Sequence, residues 1–299
     1  MKSLSLVALI LAPWLCLAQT EPTPEQIAKF KEARQKLVEG LKPQKGEITL
    51  PGGIAKVSVP ESLSYLDGND AETVLTKIWG NPPDKEKPLG MLIPKDKSPI
   101  DDDVWAVLIE FEDSGYVKDD DAAKLNYDDL LKTMQKSSVA ENKEREKLGY
   151  DRVDLVGWAT KPHYDSAAKK IYWAKELKFG GAEENTLNYN IRILGRRGVL
   201  NLNAIASIHQ LADIEKETST ILSAVDFSEG HRYADFKPGS DKIATYGLAG
   251  LIAGGVLLKS GAAKGILALL LAGKKFVVIG VVALAAFVKK LFGRNEPTA

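Results

Sequence analysis

The chain has 299 residues, of which 44% are hydrophobic and 27% charged, a balance that excludes a wholly disordered protein and leaves room for one sizeable domain with accessory segments. Its 40 basic and 40 acidic residues cancel, yet eight basic residues and one acid lie beyond Asp241, leaving 32 basic and 39 acidic residues in positions 1–241, a net of −7. An acidic body with a basic tail argues against a nucleic-acid partner and suits a body kept off anionic lipid and a tail held on it.

Lys2, the apolar run Leu4–Leu17, and the small residues Cys16 and Ala18 before Gln19 read as a secretory signal peptide over residues 1–18. Pro13 and the shortness of the run favour cleavage over retention as an anchor. Cleavage after Ala18 removes Cys16, the one cysteine, so no disulfide or cysteine metal ligand is expected in the mature chain.

Thr23-Pro24-Glu25-Gln26 is a helix start, with Thr23 as N-cap, Pro24 at the first helical position and Gln26 completing a capping box. Ile27, Phe30, Leu37 and Leu41 fall near one face, which predicts a helix that docks on the body. With the linker Lys42–Glu47 it makes residues 19–46 an accessory segment.

The body, residues 47–240, opens with an expected hairpin: Glu47–Leu50 and Ile54–Val59 around Pro51-Gly52-Gly53. Asn69-Asp70 read as the cap of a helix carrying Ala71, Val74, Leu75 and Ile78, stopped by Gly80 and Pro82. Trp105, Val107, Ile109 and Phe111 alternate with Ala106, Leu108 and Glu110, which predicts a strand.

Asp119, Asp120 and Asp121 precede Ala122, Ala123 and Leu125, and Asn126 precedes Tyr127, Asp128 and Asp129. Carboxylates and Asn in such places read as helix starts, because they meet free backbone N–H groups and the positive dipole end. An EF-hand loop needs an oxygen ligand fifth and Gly sixth, where Ala123 and Lys124 stand, so the calcium reading fails and no metal site is expected. Glu110, Asp119 and Asp121 are the candidate acids if the chain is instead a hydrolase.

Val153–Ala159, Lys170–Phe179, Thr186–Leu194 and Val199–Ala206 read as four strands with short connections, followed by a helix over about 210–225. That order implies an antiparallel meander with a helix covering one face, so the expected fold class is α+β. If Arg196-Arg197 is the two-residue turn between the last two strands, Arg192 lies opposite Asn201 and Asn190 opposite Asn203. One face is then apolar, and the other carries Asn188, Asn190, Arg192, Asn201 and Asn203. Asn is a poor strand former. Four of them beside an Arg are the candidate ligand-binding residues, a hydrogen-bonding floor for a sugar, peptide or carboxylate. Arg196 and Arg197 read as exposed turn residues.

His163, His209 and His231 are far apart and show no metal-ligand spacing, and no G-x-S-x-G, P-loop or G-x-G-x-x-G is present. No catalytic residue is assigned and no cofactor is expected.

Residues 241–299 read as a membrane anchor of one or two hydrophobic helices. Ile243–Leu258 is apolar for 16 residues, and for 21 by Ala263 if Lys259 snorkels. Gly250 and Gly254 form a G-x-x-x-G pattern suited to helix packing. The second run, Gly265–Val288, is broken by Lys274-Lys275; its longest clean piece, Phe276–Val288, spans only about 20 Å against a core of about 30 Å. With the body outside, one crossing by the first segment puts Lys259, Lys264, Lys274 and Lys275 in the cytoplasm, as the positive-inside rule prefers.

The stretches "WGNPP", "GYVKDDDA", "LVGWATKPHYD", "YWAKELKF", "TLNYNIRILGRRGVLNLNAIA" and "YADFKPGSDKIATYGLAGLIAGG" resemble the bacterial membrane-anchored proteins of domain of unknown function 2167, over roughly Ser62 to Phe292. The resemblance implies a bacterial envelope protein with a C-terminal anchor and brings no functional residue with it. The order hairpin, helix, meander and final helix is also similar to that of small domains of the photosystem accessory and Mog1 type. The expectation is a non-enzymatic binding or scaffolding module of the inner membrane, facing the periplasm. Its expected partners are the lipid bilayer and either an envelope protein or a second copy. The alternatives are an envelope hydrolase acting on a glycan, peptide or lipid, and a membrane-stress factor acting through its apolar helices.

Overall fold

Along strands such as Thr186–Leu194 and Val199–Ser207, apolar side chains alternate with polar ones, and the described residues form two antiparallel sheets. The computed structural model describes residues 23–81, 83–84, 86–147 and 151–254. Within these, a small sheet joins β1 (Gly46–Thr49), β2 (Ala55–Val59) and β10 (Val225–Phe227) in that order. A seven-stranded sheet runs β3 (Leu63–Asp67), β4 (Gly90–Pro94), β5 (Ala106–Glu112), β9 (Val199–Ser207), β8 (Thr186–Leu194), β7 (Lys170–Phe179), β6 (Val153–Asp165). The class is α+β, and β6 to β9 form the expected meander.

Among the described residues five α-helices pack on this frame: α1 (Pro24–Glu39), α2 (Gly68–Thr73), α3 (Tyr127–Lys147), α4 (Leu211–Ala224) and α5 (Leu248–Ala253). On one face of the large sheet, Ile214 and Ile221 of α4 and Val57 of β2 bury against Leu187, Tyr189, Ile191 and Leu202. Each such side chain stabilises the fold by about 1.5–3 kcal/mol. The opposite face is covered in two parts. Near β3 and β4, Leu66, Met91 and Ile93 meet Ala71 and Val74 of the α2 region, with Leu37 and Val38 of α1 behind them. Near β7, Ile171 and Trp173 meet Leu248, Leu251 and Ile252 of α5. The docking reading of α1 therefore holds for its second half, while Ile27 is 37% exposed.

Strand β6 is a sheet edge, and α3 closes it. Asn142 donates to Val153 O at 3.1 Å and accepts from Val153 N at 2.8 Å, while Ser138 and Gln135 donate to the carbonyls of Val153 and Val156. Side chains thus satisfy backbone groups that an open edge offers to other chains.

The structure differs from the sequence reading at several points. Helix α2 is capped by Asp67, whose carboxylate accepts from Asn69 N and Asp70 N, and not by Asn69-Asp70. It continues into a π-helical turn, Val74–Ile78. Asn126 caps α3 as read, accepting from Asp128 N and Asp129 N. Asp121 gives no side-chain cap to the short turn Ala122–Lys124 that follows it; its carboxylate is used elsewhere, as described below.

The C-terminal reading changes most. Residues 243–254, the first part of the expected span, belong to the body. Gly254 ends α5 with a left-handed backbone, φ 95°. Gly250, which is buried, and Gly254 therefore do not lie along one continuous helical face. Among the described residues no helix is long and apolar enough to cross a membrane. The expected signal peptide and residues 255–299 lie outside the described residues.

Candidate functional site

Register decides which side chains share the middle of the large sheet. Asn190 pairs with Asn203 and Arg192 with Asn201, as the Arg196-Arg197 turn predicts. Extending the same rows across β7 and β5 adds Trp173 beside Asn190, Lys175 beside Asn188, and Glu110 beside Asn201. The result is a polar strip over four strands, flanked on both sides by apolar clusters.

This strip is not an open floor. Asn190 is 1% exposed, Asn188 6%, Asn203 7% and Arg192 8%. Lys175, Asn201 and Glu110 are half-buried and are its more exposed members. Inside, Arg192 donates to Asn203 Oδ1 at 2.8 Å, to Asn190 Oδ1 at 3.1 Å and to Ile191 O at 2.9 Å. Its guanidinium also lies 5.2 Å from the Trp173 ring centroid. Asn190 Nδ2 donates to Asn188 Oδ1 at 2.9 Å, and Asn203 Nδ2 donates to Glu110 Oε2 at 3.3 Å.

Charge in the strip is incompletely matched. Every acceptor of Arg192 is a neutral carbonyl oxygen. Burial pushes its pKa down to about 10. Burial, and then repulsion from Arg192, pushes the Lys175 ammonium down to about 8, against the pull of Glu141 on α3. Burial pushes Glu110 up, more than Arg192 pulls it down. Two buried polar atoms, Trp173 Nε1 and Asn201 Oδ1, have no hydrogen-bond partner. Buried polar groups are rarely left so.

The acids singled out in the sequence serve a second place, the root of the C-terminal segment. Asp121 accepts from Leu248 N and Ala249 N, both at 3.1 Å, and so caps α5 across the fold. Gly247 is needed there, because a Cβ would stand 2.8 Å from the Asp121 carboxylate. Tyr116 N donates to Lys242 O at 2.8 Å, and Ala244 N donates to Tyr116 O at 2.9 Å. Gly115, at φ 95°, admits that close approach. Tyr246 Oη donates to Glu112. Arg196 grips Asp241 with two bonds of 2.7 and 2.9 Å, so it is a clamp for an internal carboxylate and not a free turn residue; Arg197 is exposed as read. The clamp holds the Asp241 carboxyl at about 2.

Asp119 stands beside this root. It accepts from Tyr164 Oη at 2.5 Å, Lys169 Nζ at 2.7 Å and Tyr233 Oη at 3.0 Å. Burial pushes its carboxyl up, but these donors outweigh that and hold it below the usual carboxylate value. Glu110, Asp119 and Asp121 thus have separate partners: Glu110 borders the strip, and the other two secure the tail root. Sequence reasoning missed Trp173 and Lys175, although their period-two spacing in "YWAKELKF" sets both on one face.

The chain matches the family model described as a protein of unknown function, DUF2167, over residues 42–285. It belongs to that family. No curated protein matches this DUF2167 chain. Among solved structures, cyanobacterial PsbP from Synechocystis sp. PCC 6803 is similar at 8% identity and TM-score 0.33, covering 63% of this chain and 92% of that one. The Saccharomyces cerevisiae Ran-binding protein Mog1p is similar at 9% identity and TM-score 0.33, covering 66% and 100%. Likeness at that level transfers neither protein's partners to the DUF2167 chain.

Proposed function

We propose that this chain is a membrane-tethered, non-enzymatic binding module of the bacterial envelope, with its body in the periplasm and a ligand held at the polar strip. The observation that carries the reading is the orphaned pair, Trp173 Nε1 and Asn201 Oδ1, beside a buried Arg192 that donates only to neutral oxygens. A strip built only for stability gains nothing from open donors, because a half-satisfied polar network is worse than an apolar one.

The tether follows from the sequence beyond residue 254 and from the root before it. The root fixes residues 243–254 to the body, which gives a tether a firm attachment. A hydrolase draws less support. Asp119 and Asp121 are engaged by donors on both oxygens, which leaves neither poised to take or give a proton.

The test is to purify the full chain from detergent-solubilised membranes and identify co-purifying small molecules by mass spectrometry. The expected result is a compound retained by the wild type and lost from Trp173→Phe and Lys175→Met. Identical contents in all three proteins would contradict the binding reading. Recovery of the chain in a carbonate-washed membrane pellet is expected of the tether, and release into the wash would contradict it.

A further inference from the structure

We propose that the strip takes a carboxylate with an N–H donor beside it, as at the end of an acylated amino acid. The carboxylate would sit among the Lys175 ammonium, the Arg192 guanidinium and the Trp173 indole N–H. This rests on the binding reading above and names the ligand class.

Donors dominate the strip. Trp173 and Lys175 are two residues apart on β7 and point to one face, and Arg192 lies over the Trp173 ring. The indole N–H has no acceptor although Trp173 is 1% exposed. Lys175 makes no ion pair among the described residues, and Arg192 meets only neutral oxygens. Asn203 keeps Glu110 from Arg192 by taking its guanidinium on one side and giving to the acid on the other. A group that is acceptor-only, planar and singly charged complements such donors, and an ionised carboxylate has those properties. Glu110 lies opposite Asn201 in the strip, and its charge disfavours a dianionic phosphate. One acceptor, Asn201 Oδ1, is also unpaired, on the residue opposite Arg192. It calls for a donor on the ligand next to the anion, which an amide N–H supplies.

The probe series is N-acetylglycine, acetate, inorganic phosphate and the neutral N-acetylglycinamide. The protein is the full chain in detergent, labelled with ¹⁵N-tryptophan, and the signal is the Trp173 indole cross-peak, assigned by Trp173→Phe. N-acetylglycine is expected to shift that peak saturably, acetate more weakly, and the amide and phosphate not at all. Lys175→Met, with the other indole peaks unmoved, is expected to weaken N-acetylglycine by about tenfold, the effect of losing one charge-assisted contact. An equal response to the amide, or a response to phosphate alone, would overturn the carboxylate while leaving a binding strip. No response to any of the four would overturn the carboxylate, and unchanged co-purifying compounds would then remove the strip as well.

Discussion

Arg192 donates to the amide oxygen of Asn203 at 2.8 Å, and no carboxylate takes its place. The same amide donates to Glu110, so Asn203 separates a cation from an acid that would otherwise neutralise it. Asn203→Leu should destabilise the domain by about 1–3 kcal/mol, because it removes an acceptor from the buried Arg192 and a donor from the half-buried Glu110. Asn203→Asp should retain more stability, since the new acid pairs with Arg192, and should abolish carboxylate binding. Chemical denaturation followed by tryptophan fluorescence, with the indole titration described above, checks both outcomes.

Lys175 gives a pH signature. Its folded value of about 8 lies below the ordinary 10.5. Below about 8 the amine is charged in both the folded and unfolded chain, so it adds no slope. Between about 8 and 10.5 the unfolded chain holds the proton and the folded one releases it, so stability rises with pH there. Ligand affinity moves the other way and should fall as pH rises through about 8. The difference between wild type and Lys175→Met isolates both effects from the tyrosines.

Asp119 gives a slope of the same sign, in the acid range. Its folded carboxyl lies below the ordinary 3.8, so its stabilisation is complete above that value and is lost as pH falls through the lower folded one. Asp119→Asn should lower neutral-pH stability by about 1–3 kcal/mol, the range for losing charged hydrogen bonds, and flatten the acid limb of the curve. Thermal unfolding between pH 2 and 7 measures it.

The tail root predicts a local effect. Asp121→Ala removes the acceptor for Leu248 N and Ala249 N and should cost about 1 kcal/mol, as for other lost caps. Gly247→Ala should disturb the same contact by collision. Hydrogen exchange in residues 243–254 should speed up in both variants, while β7 and β8 stay protected. Unchanged exchange at the root would contradict the assigned cap.

Much of this was legible in the sequence. Leu187, Tyr189, Ile191 and Ile193 alternate with polar residues, and "GRRG" fixes the turn, so the β8–β9 register followed. Strands β3 and β4 were missed because most of their residues are buried on both faces, which erases the alternation. The role of Asp121 was hidden because its acceptor geometry is met by Leu248, 127 positions away. Nothing local marks an acid as a cap for a distant helix. The apolar run from Ile243 looked like membrane, yet Leu248, Leu251 and Ile252 fill the domain's own core. Hydropathy does not distinguish those two destinations.

The most direct measurement is the titration of Lys175 itself, by the ¹³Cε signal of the full chain labelled with ¹³C-lysine and assigned through Lys175→Met. The expected midpoint is about 8 without ligand and higher with saturating N-acetylglycine, because a bound carboxylate favours the charged amine. A midpoint at the ordinary lysine value, unmoved by N-acetylglycine, would contradict an unmatched cation in the strip.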